Sequence, residues 1–374
     1  MHTMWSILFT LVASSSSAAA PDFAVAAYLP NYRYATLRER RTWTTTRVTS
    51  LMLFSAEPRA DGELIGVEKL VPSWLLGSAG DTPFVAPQRN AGEALRTFMK
   101  RRQRARLDQK RSSRTAMRAQ RNTRLLLSIG GAGRSQHFGA MAASPAARTR
   151  FAQAAATACL DFGLDGVDLD WEAKWVLPDL NAVLNALREA LRPLDALLTI
   201  ALHPWQDIGK AGFALVDRVH LMAYDVAPGS FASLSPSGRH TSFALSVAMI
   251  KQLEARGWEL SKVVLGIPAY ARPLPVTGAA DVATYSELVA RRRAHDDAAP
   301  PSSSSWGKDV DGEALYDGLA FDDVATVRRK TRWAKERGLG GVFLWEAGQD
   351  TAETATSLLH AMAKAAEVRA SSEL

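Results

Sequence analysis

The chain has 374 residues, 47% of them hydrophobic, so it is long enough to bury the core of one large α/β domain. The lone cysteine, Cys159, excludes an intrachain disulfide, and no stretch beyond the N-terminal region is apolar enough to predict a transmembrane helix. The net charge of +7 is uneven: residues 96–124 hold twelve Lys or Arg and one Asp, so this segment carries +11 and the remainder −4.

The first 20 residues are typical of a secretory signal peptide. Residues 4–13 form an apolar run too short to span a bilayer, and small residues follow, with Ser17-Ala18-Ala19 as one candidate cleavage site. The absence of Lys and Arg before the run is atypical of such signals. We expect a signal peptide at 1–20, one domain at 21–374, and a secreted protein or one in the lumen of the secretory pathway.

The basic segment is interpreted as a helical or loop insertion at about 90–124. A strongly basic stretch is also compatible with binding to nucleic acid or to an anionic surface. However, Phe98 is its one aromatic residue and no nucleic-acid-binding motif accompanies it. The composition therefore favours a solvated insertion, and we expect no nucleic-acid partner.

Apolar strands alternate with helices along the chain. Strands are predicted at 23–30, 48–55, 125–129, 164–172, 197–202, 216–225, 263–268 and 341–345. Helices are predicted at 144–162, 179–191, 243–256, 322–337 and 351–368. Eight buried strands in this order predict an α/β fold, a (β/α)8 TIM barrel, with a doubly wound open sheet as the alternative. The segment between the seventh and eighth strands, about 70 residues, predicts no sizeable α+β insertion domain between the seventh strand and its helix.

The fourth strand carries three acids. Alternation with period two puts Asp168, Asp170 and Glu172 on one face, roughly 6–7 Å apart. At an effective dielectric of about 20, each adjacent pair repels by about 2–3 kcal/mol, so we expect at least one carboxyl, the outermost, to keep its proton at neutral pH. A carboxyl protonated at working pH is suited to general acid catalysis. The alternatives are a divalent-metal site, which usually draws ligands from several segments, and a solvated face, which strand propensity disfavours.

Other polar and aromatic residues lie at predicted strand ends, where barrel active sites are found. These residues are Tyr28, Ser128, Tyr224, Asp225, Tyr270 and Trp345. Each aromatic residue among them also has an interpretation as packing. His203 and His220 are interpreted as structural, whereas Trp171, Trp175 and Trp205 fit either a ligand-binding cleft or the core. The turn at Gly130-Gly131 lacks the lysine of a phosphate-binding loop.

The acidic strand, read as Asp165-Gly166-Val167-Asp168-Leu169-Asp170-Trp171-Glu172, resembles the active-site signature of glycoside hydrolase family 18, the chitinases and their relatives. Four further stretches match the family in order: Ser128-Ile129-Gly130-Gly131, Met222-Ala223-Tyr224-Asp225, Gly266-Ile267-Pro268-Ala269-Tyr270-Ala271-Arg272 and Gly340-Gly341-Val342-Phe343-Leu344-Trp345-Glu346. Ala271 replaces a usual Gly, and Ala132 stands where the family often has Trp. The resemblance covers nearly the whole mature chain, and with its short seventh-to-eighth segment implies a shallower, more open groove.

The resemblance implies a retaining glycosidase that cleaves β-1,4-linked N-acetylglucosamine, in chitin or chitooligosaccharides, with the substrate's acetamido group as nucleophile. Glu172 would be the general acid and base, Asp170 would hold the acetamido N–H, and Asp168 would share a proton with Asp170. The remaining implied site residues are Tyr224 on the acetamido group with Asp225, Tyr28 and Ser128 on Asp168, Gly131, Tyr270 and Arg272 in substrate binding, and Trp345 as the apolar floor.

The resemblance also sets expectations for partners. The partner is a polysaccharide or oligosaccharide that contains N-acetylglucosamine; no cofactor or metal is implied, and we expect a monomer. Two alternatives stay open: an endo-β-N-acetylglucosaminidase acting on glycoprotein or peptidoglycan glycans, and a non-catalytic chitin-binding lectin. Lectins of this family have usually lost the acid at the position of Glu172, which is present here.

Overall fold

The computed structural model describes residues 23–40, 48–71, 123–226, 238–274, 282–296, 306–310 and 312–367. The predicted signal peptide at 1–20 and nearly all of the basic segment at about 90–124 lie outside these residues and stay predictions. Within the described ranges, no helix has the length and apolarity needed to cross a membrane.

Eight parallel strands close into a barrel. The strands in chain order are β1 (Ala24–Pro30), β2 (Ser50–Pro58), β3 (Leu64–Ile65), β4 (Arg124–Gly130), β5 (Gly166–Asp170), β6 (Leu197–Leu202), β7 (Arg218–Leu221), β8 (Val263–Pro268), β9 (Tyr270–Pro273), β10 (Ala283–Thr284), β11 (Gly307–Lys308), β12 (Ala314–Tyr316), β13 (Leu319–Ala320) and β14 (Gly341–Trp345). The barrel runs β1-β2-β4-β5-β6-β7-β8-β14, and β14 pairs in parallel with β1 to close it. The predicted (β/α)8 barrel is confirmed.

Helices pack outside the barrel, and their ends follow local sequence signals. The helices are α1 (Tyr34–Arg40), α2 (Phe138–Ala143), α3 (Pro145–Phe162), α4 (Leu177–Leu191), α5 (Gly209–Leu215), α6 (Phe243–Ala255), α7 (Tyr285–Asp296), α8 (Val324–Glu336) and α9 (Leu358–Glu367). Helix α3, for example, begins at Pro145 after Ser144, whose side chain accepts a hydrogen bond from the Ala147 N–H, and it ends at Gly163 with φ +67°.

Several predicted elements are shorter in the structure, among them the strand predicted at 164–172, which is β5 and ends at Asp170. The strand predicted at 216–225 is β7, which leaves the ladder after Leu221. The helix predicted from residue 351 is α9, which begins at Leu358 because the Asp350 carboxylate accepts hydrogen bonds from the Thr351, Leu358 and Leu359 N–H groups. These bonds hold the intervening residues in turns instead of a helix.

A small antiparallel sheet is formed by the segment between β8 and α8, with strand order β10-β9-β13-β12-β11. Helix α7 follows β10 and precedes β11 in the chain. Sequence patterning did not predict this sheet, since its strands of two to four residues are too short to show a period. Buried Arg239 anchors it by donating hydrogen bonds to the carbonyls of Ala314 and Phe321. Within the described residues, the segment between β8 and α8 thus adds five short strands and one helix to the barrel.

Apolar side chains divide into two clusters according to the face of each strand. Val167 and Leu169 of β5 belong to the larger cluster, between the barrel and its helices. The barrel interior holds the smaller cluster: Ala26, Tyr28, Met52, Phe54, Leu126, Ala201, Met222, Tyr224, Val264, Tyr270 and Phe343. Asp168 contacts this interior layer through Tyr28. The period-two alternation of β5 thus directs apolar side chains outward and acids inward.

The end of β4 approaches β5 so closely that only glycine fits, since a Cβ on Gly130 would lie 2.2 Å from the Asp170 carbonyl oxygen. The Gly131 N–H donates to the Asp170 carbonyl at 2.6 Å. Gly131 has φ +97°, and a Cβ there would lie 2.3 Å from the Phe54 ring. The glycine pair therefore serves close packing of two strands at the mouth of the barrel, which explains it without a bound phosphate.

We predict that Gly131→Ala lowers the free energy of unfolding by about 2–4 kcal/mol, because backbone strain and the clash with Phe54 add. Gly133→Ala is the matched control: its φ is +74° but no atom lies within 4 Å of the added Cβ, so strain alone predicts a loss of about 1 kcal/mol. Denaturant unfolding of both variants measures the difference. Equal losses would show that Phe54 does not constrain this turn.

Candidate active site

Asp168 is the buried centre of the site, and the register of three strands builds its surroundings. On β5 it pairs with Ser128 of β4 on one side and with Thr199 of β6 on the other. The Tyr28 hydroxyl donates to Asp168 Oδ2 at 2.8 Å, and the Ser128 hydroxyl lies 3.4 Å from the same oxygen. The predicted contacts of Tyr28 and Ser128 with this carboxylate are therefore present in the structure.

Two partners of Asp168 were missed from the sequence. The Thr199 hydroxyl donates to Asp168 Oδ1, and His220 Nδ1 lies 3.2 Å from that oxygen. His220 was interpreted as structural; it also lies 3.0 Å from the Tyr28 hydroxyl. The inward position of Thr199, in register with Asp168, was the sequence signal available for it.

These partners keep the deepest carboxyl ionised. Complete burial by itself raises the pKa of Asp168, but His220 and the hydrogen bonds from Thr199 and Tyr28 outweigh it and hold the pKa below its ordinary value. Asp168 thus carries a fixed negative charge at the centre of the barrel.

Asp170, two residues further along β5, has the opposite environment. It is 2% exposed, and its Oδ1 has no hydrogen-bond partner within the described part of the chain. Burial, followed by the charges of Glu172 and Asp168, raises the pKa of Asp170 well above its usual range. The proton that charge repulsion retains is therefore assigned to Asp170, the middle carboxyl. Charge repulsion alone predicts it on Glu172, the outermost acid. The difference arises because desolvation adds to charge repulsion at the buried position.

Glu172 follows the end of β5 and reaches the mouth of the barrel. Its side chain is 24% exposed, and its Oε2 lies 3.6 Å from His203 Nε2. The Glu172 N–H donates to the Ser135 hydroxyl at 3.0 Å, and that hydroxyl is also within hydrogen-bond distance of the Gly131 carbonyl. Ser135, which was not singled out from the sequence, thus fixes the backbone that presents Glu172.

A second polar cluster lies at the mouth of the barrel, in residues that follow β7 and in β9. Asp225, with φ +57°, accepts a hydrogen bond from Arg272 Nε at 2.6 Å, and His240 Nδ1 lies 3.3 Å away. Burial works to raise the pKa of Asp225, but His240 and Arg272 outweigh it and lower the pKa strongly. This carboxylate is therefore charged and held in a defined orientation.

Aromatic side chains form the remaining wall. Tyr224 and Tyr270 are buried and meet edge to face at 6.2 Å, and burial raises the pKa of both hydroxyls well above 10, so both stay protonated donors. Trp345 ends β14 and packs against Tyr28 at 5.3 Å and Phe54 at 4.8 Å. Trp345 is half-buried, so part of the residue is accessible to a ligand.

The three undecided tryptophans have different environments. Trp171 is buried and stacks on Phe138 at 4.9 Å, so it is a core residue, and Trp175 meets its edge. Trp205 is exposed and stacks on His203. Across the described ranges, no group of three or more His, Cys, Asp or Glu side chains is arranged to hold a metal ion.

Known proteins resemble this chain in sequence and in fold. Chitinase 1 of Aphanocladium album is 30% identical over 269 residues, covering 61% of this chain and 62% of its own length. Endochitinase 1 of Metarhizium anisopliae is 28% identical over 273 residues, with coverages of 62% and 63%. The chain thus spans less than two thirds of the length of these curated relatives.

Solved structures share the barrel. A Group IV chitinase of Ostrinia furnacalis superposes with a TM-score of 0.64 at 19% identity, covering 92% of this chain and 100% of that one. A class V chitinase of Nicotiana tobaccum gives 0.62 at 21% identity, with coverages of 93% and 99%. The model of the family described as glycosyl hydrolases family 18 matches residues 89–350, well over half of the chain. This chain therefore belongs to glycosyl hydrolases family 18.

Proposed function

We propose that this chain is a retaining glycoside hydrolase that cleaves β-1,4-linked N-acetylglucosamine, in chitin or chitooligosaccharides, by substrate-assisted catalysis. The observation that carries the proposal is the unpartnered, buried Oδ1 of Asp170 beside Glu172 at the mouth of the barrel. A buried acceptor without a partner is costly unless a ligand supplies the donor. The N–H of a 2-acetamido group is such a donor, and the relatives named as chitinases act on a polymer that carries it.

In the first step, Glu172, after taking up a proton from solvent, donates it to the glycosidic oxygen as the C1–O bond breaks. It is the acid of the row that reaches solvent-accessible space, whereas Asp168 and Asp170 are buried. The carbonyl oxygen of the substrate's acetamido group attacks C1 from the opposite face and forms a cyclic oxazolinium ion. The covalent bond is thus made by the substrate, and no enzyme carboxylate serves as nucleophile.

Asp170 supports this attack by binding the acetamido N–H. As the ring closes, positive charge develops on the oxazolinium nitrogen, and an ionised Asp170 stabilises it most strongly. Its proton then moves toward Asp168, the deeper member of the pair. The hydrogen bonds to Asp168 favour the negative charge there in the free enzyme, so the pair stores one proton and changes its position when substrate binds.

In the second step, Glu172 is ionised and accepts a proton from a water molecule, whose oxygen attacks C1. The C1–O bond to the acetamido oxygen breaks, the amide is restored, and the product retains its anomeric configuration. The same carboxyl serves as acid and then as base because the leaving group and the water occupy the same face of the sugar.

Residues that follow β7, lie on β9 or end β14 hold the reacting sugar. Tyr224 stays protonated and offers a donor to the acetamido oxygen, while Asp225, fixed by Arg272, accepts from a sugar or amide group. The partly exposed Trp345 offers its face to the axial C–H groups of the ring. Gly131 shapes this pocket by leaving room for the Phe54 ring, and Tyr270 shapes it by packing against Tyr224.

We also propose that residues 1–20 direct the chain into the secretory pathway and that the mature enzyme acts as a monomer. The apolar run at 4–13 and the small residues after it support the first part. N-terminal sequencing and light scattering of the secreted protein test both.

We predict that Glu172→Gln lowers kcat for chitohexaose by at least about 100-fold, since a carboxamide cannot donate and recover the proton. Oligosaccharide binding and the thermal midpoint should be retained. Glu189→Gln, on the exposed face of α4, is the matched control and should leave kcat unchanged. Near wild-type turnover by Glu172→Gln would remove it as the acid, and a wild-type protein that binds chitohexaose without cleaving it would be a lectin.

We predict that Asp170→Asn abolishes most turnover but stabilises the fold increasingly as pH rises. The folded state keeps the Asp170 proton above its ordinary pKa, whereas the unfolded chain releases it near about pH 4. The contribution of Asp170 to the stability of the wild type is therefore fully present below about pH 4 and is lost as pH rises toward the raised pKa. The side-chain amide of Asp170→Asn does not ionise, so the variant avoids this loss.

Thermal unfolding of both proteins between pH 4 and pH 8 measures this effect. The midpoint difference should be near zero at the acid end and reach several degrees in favour of Asp170→Asn at the alkaline end. A difference that is constant with pH would mean that Asp170 is ionised in the folded enzyme.

A further inference from the structure

Trp205 is a large aromatic side chain that the loop after β6 holds in solvent. Its side chain is 49% exposed, although residues of this size are usually well buried. Its ring stacks on the His203 ring, with centroids 4.4 Å apart and planes inclined by 7°. Because His203 covers one face of the indole, the exposed area belongs to the opposite face and the edge.

Local hydrogen bonds hold this loop in place. The His203 N–H donates to Gln206 Oε1 at 2.7 Å, and the Gln206 N–H donates to the His203 carbonyl at 3.0 Å. The open face of Trp205 is thus held before any ligand arrives, so little conformational entropy is lost when a ligand packs on it.

The position of Trp205 in the barrel relates it to the reacting acid. In the closed strand order, β5 and β6 lie across the barrel from β14 and β1. Trp345 ends β14, whereas Glu172 and Trp205 follow β5 and β6. His203 connects the last two, since its Nε2 lies 3.6 Å from Glu172 Oε2 while its face supports Trp205. Glu172 therefore lies between two partly exposed tryptophans on opposite sides of the mouth.

Further exposed apolar side chains adjoin the loop. Val176 and Leu177, which follow β5, are 56% and 40% exposed. A Cβ added to Gly209, at the other end of the Trp205 loop, would lie 3.3 Å from Leu177. Three exposed apolar side chains thus lie on the segments that follow β5 and β6, and exposed apolar surface is common at binding sites.

We propose that Trp205, supported by His203, binds the N-acetylglucosamine units on the leaving-group side of the scissile bond. The inference rests on the proposed function. If the reacting sugar lies on Trp345 and Glu172 protonates the glycosidic oxygen, a chain that continues across the mouth passes over Glu172 and reaches Trp205. The apolar face of a pyranose ring packs well on an indole, and the edge of His203 stays directed at the acid.

The experiment compares a long substrate with one that has no leaving-group sugar. Chitohexaose spans both sides of the scissile bond, whereas chitobiosyl fluoride has a leaving group of one atom. Trp205→Ala should reduce kcat/KM for chitohexaose about 10-fold more than for the fluoride, and Trp205→Phe should recover most of that difference. The matched control is Trp333→Ala on outer helix α8, whose ratio of the two kcat/KM values should equal that of the wild type.

A binding measurement separates this inference from the proposed function. In the Glu172→Gln background, calorimetry should show about 10-fold weaker chitohexaose binding after Trp205→Ala. If the wild type cleaves chitohexaose and Trp205→Ala changes both substrates equally, the inference is overturned and the function stands. If the wild type binds chitohexaose through Trp205 but cleaves neither substrate, the proposed hydrolase function is overturned, whereas the assignment of Trp205 to sugar binding stands. A protein that neither binds nor cleaves chitohexaose removes both.

Discussion

The structure depends on one charged interaction, the buried carboxylate of Asp168. It lies at the centre of a closed barrel, where an unpaired charge would be unfavourable by several kcal/mol or more. Donors from several strands satisfy it: Tyr28 from β1, Thr199 from β6 and His220 from β7 converge on its two oxygens. At the next carboxyl outward, burial, the charge of Glu172 and this fixed charge together raise the pKa, so Asp170 keeps its proton.

Asp168 and Asp170 on β5 and Glu172 just after it therefore lie in three different environments and are not equivalent groups. Asp168 is buried and fully hydrogen-bonded, Asp170 is buried with an unpartnered oxygen, and Glu172 is partly exposed and supported through Ser135. Each environment suits one task in the proposed reaction: a stored charge, a receptor for an amide N–H, and exchange of a proton with the leaving group and water. The unpartnered oxygen also costs stability, which is a common trade at functional sites.

Much of this site could be predicted from sequence because a parallel barrel gathers strand ends at one face. The alternation through β5, the glycines after β4 and the polar residues after β7 and β9 therefore identify neighbours without coordinates. The sequence could not reveal partners that depend on the direction of a side chain from another strand, such as His220 beside Asp168 or His203 beside Glu172. The prediction from charge repulsion alone placed the retained proton on Glu172 instead of Asp170, because the spacing of residues in a sequence does not show how far each carboxyl is desolvated. The antiparallel sheet at β9–β13 was missed because its strands carry no period.

The most direct test of this account is the protonation state of Asp170 at neutral pH. Infrared difference spectroscopy of the wild type against Asp170→Asn would isolate this group from other buried carboxyls, such as Asp350, whose pKa burial also raises. We predict a protonated-carboxyl band that is present in the wild type at pH 7 and absent from the variant. A carboxylate band in its place would show that Asp170 is ionised in the free enzyme, which would contradict the assignment of the stored proton.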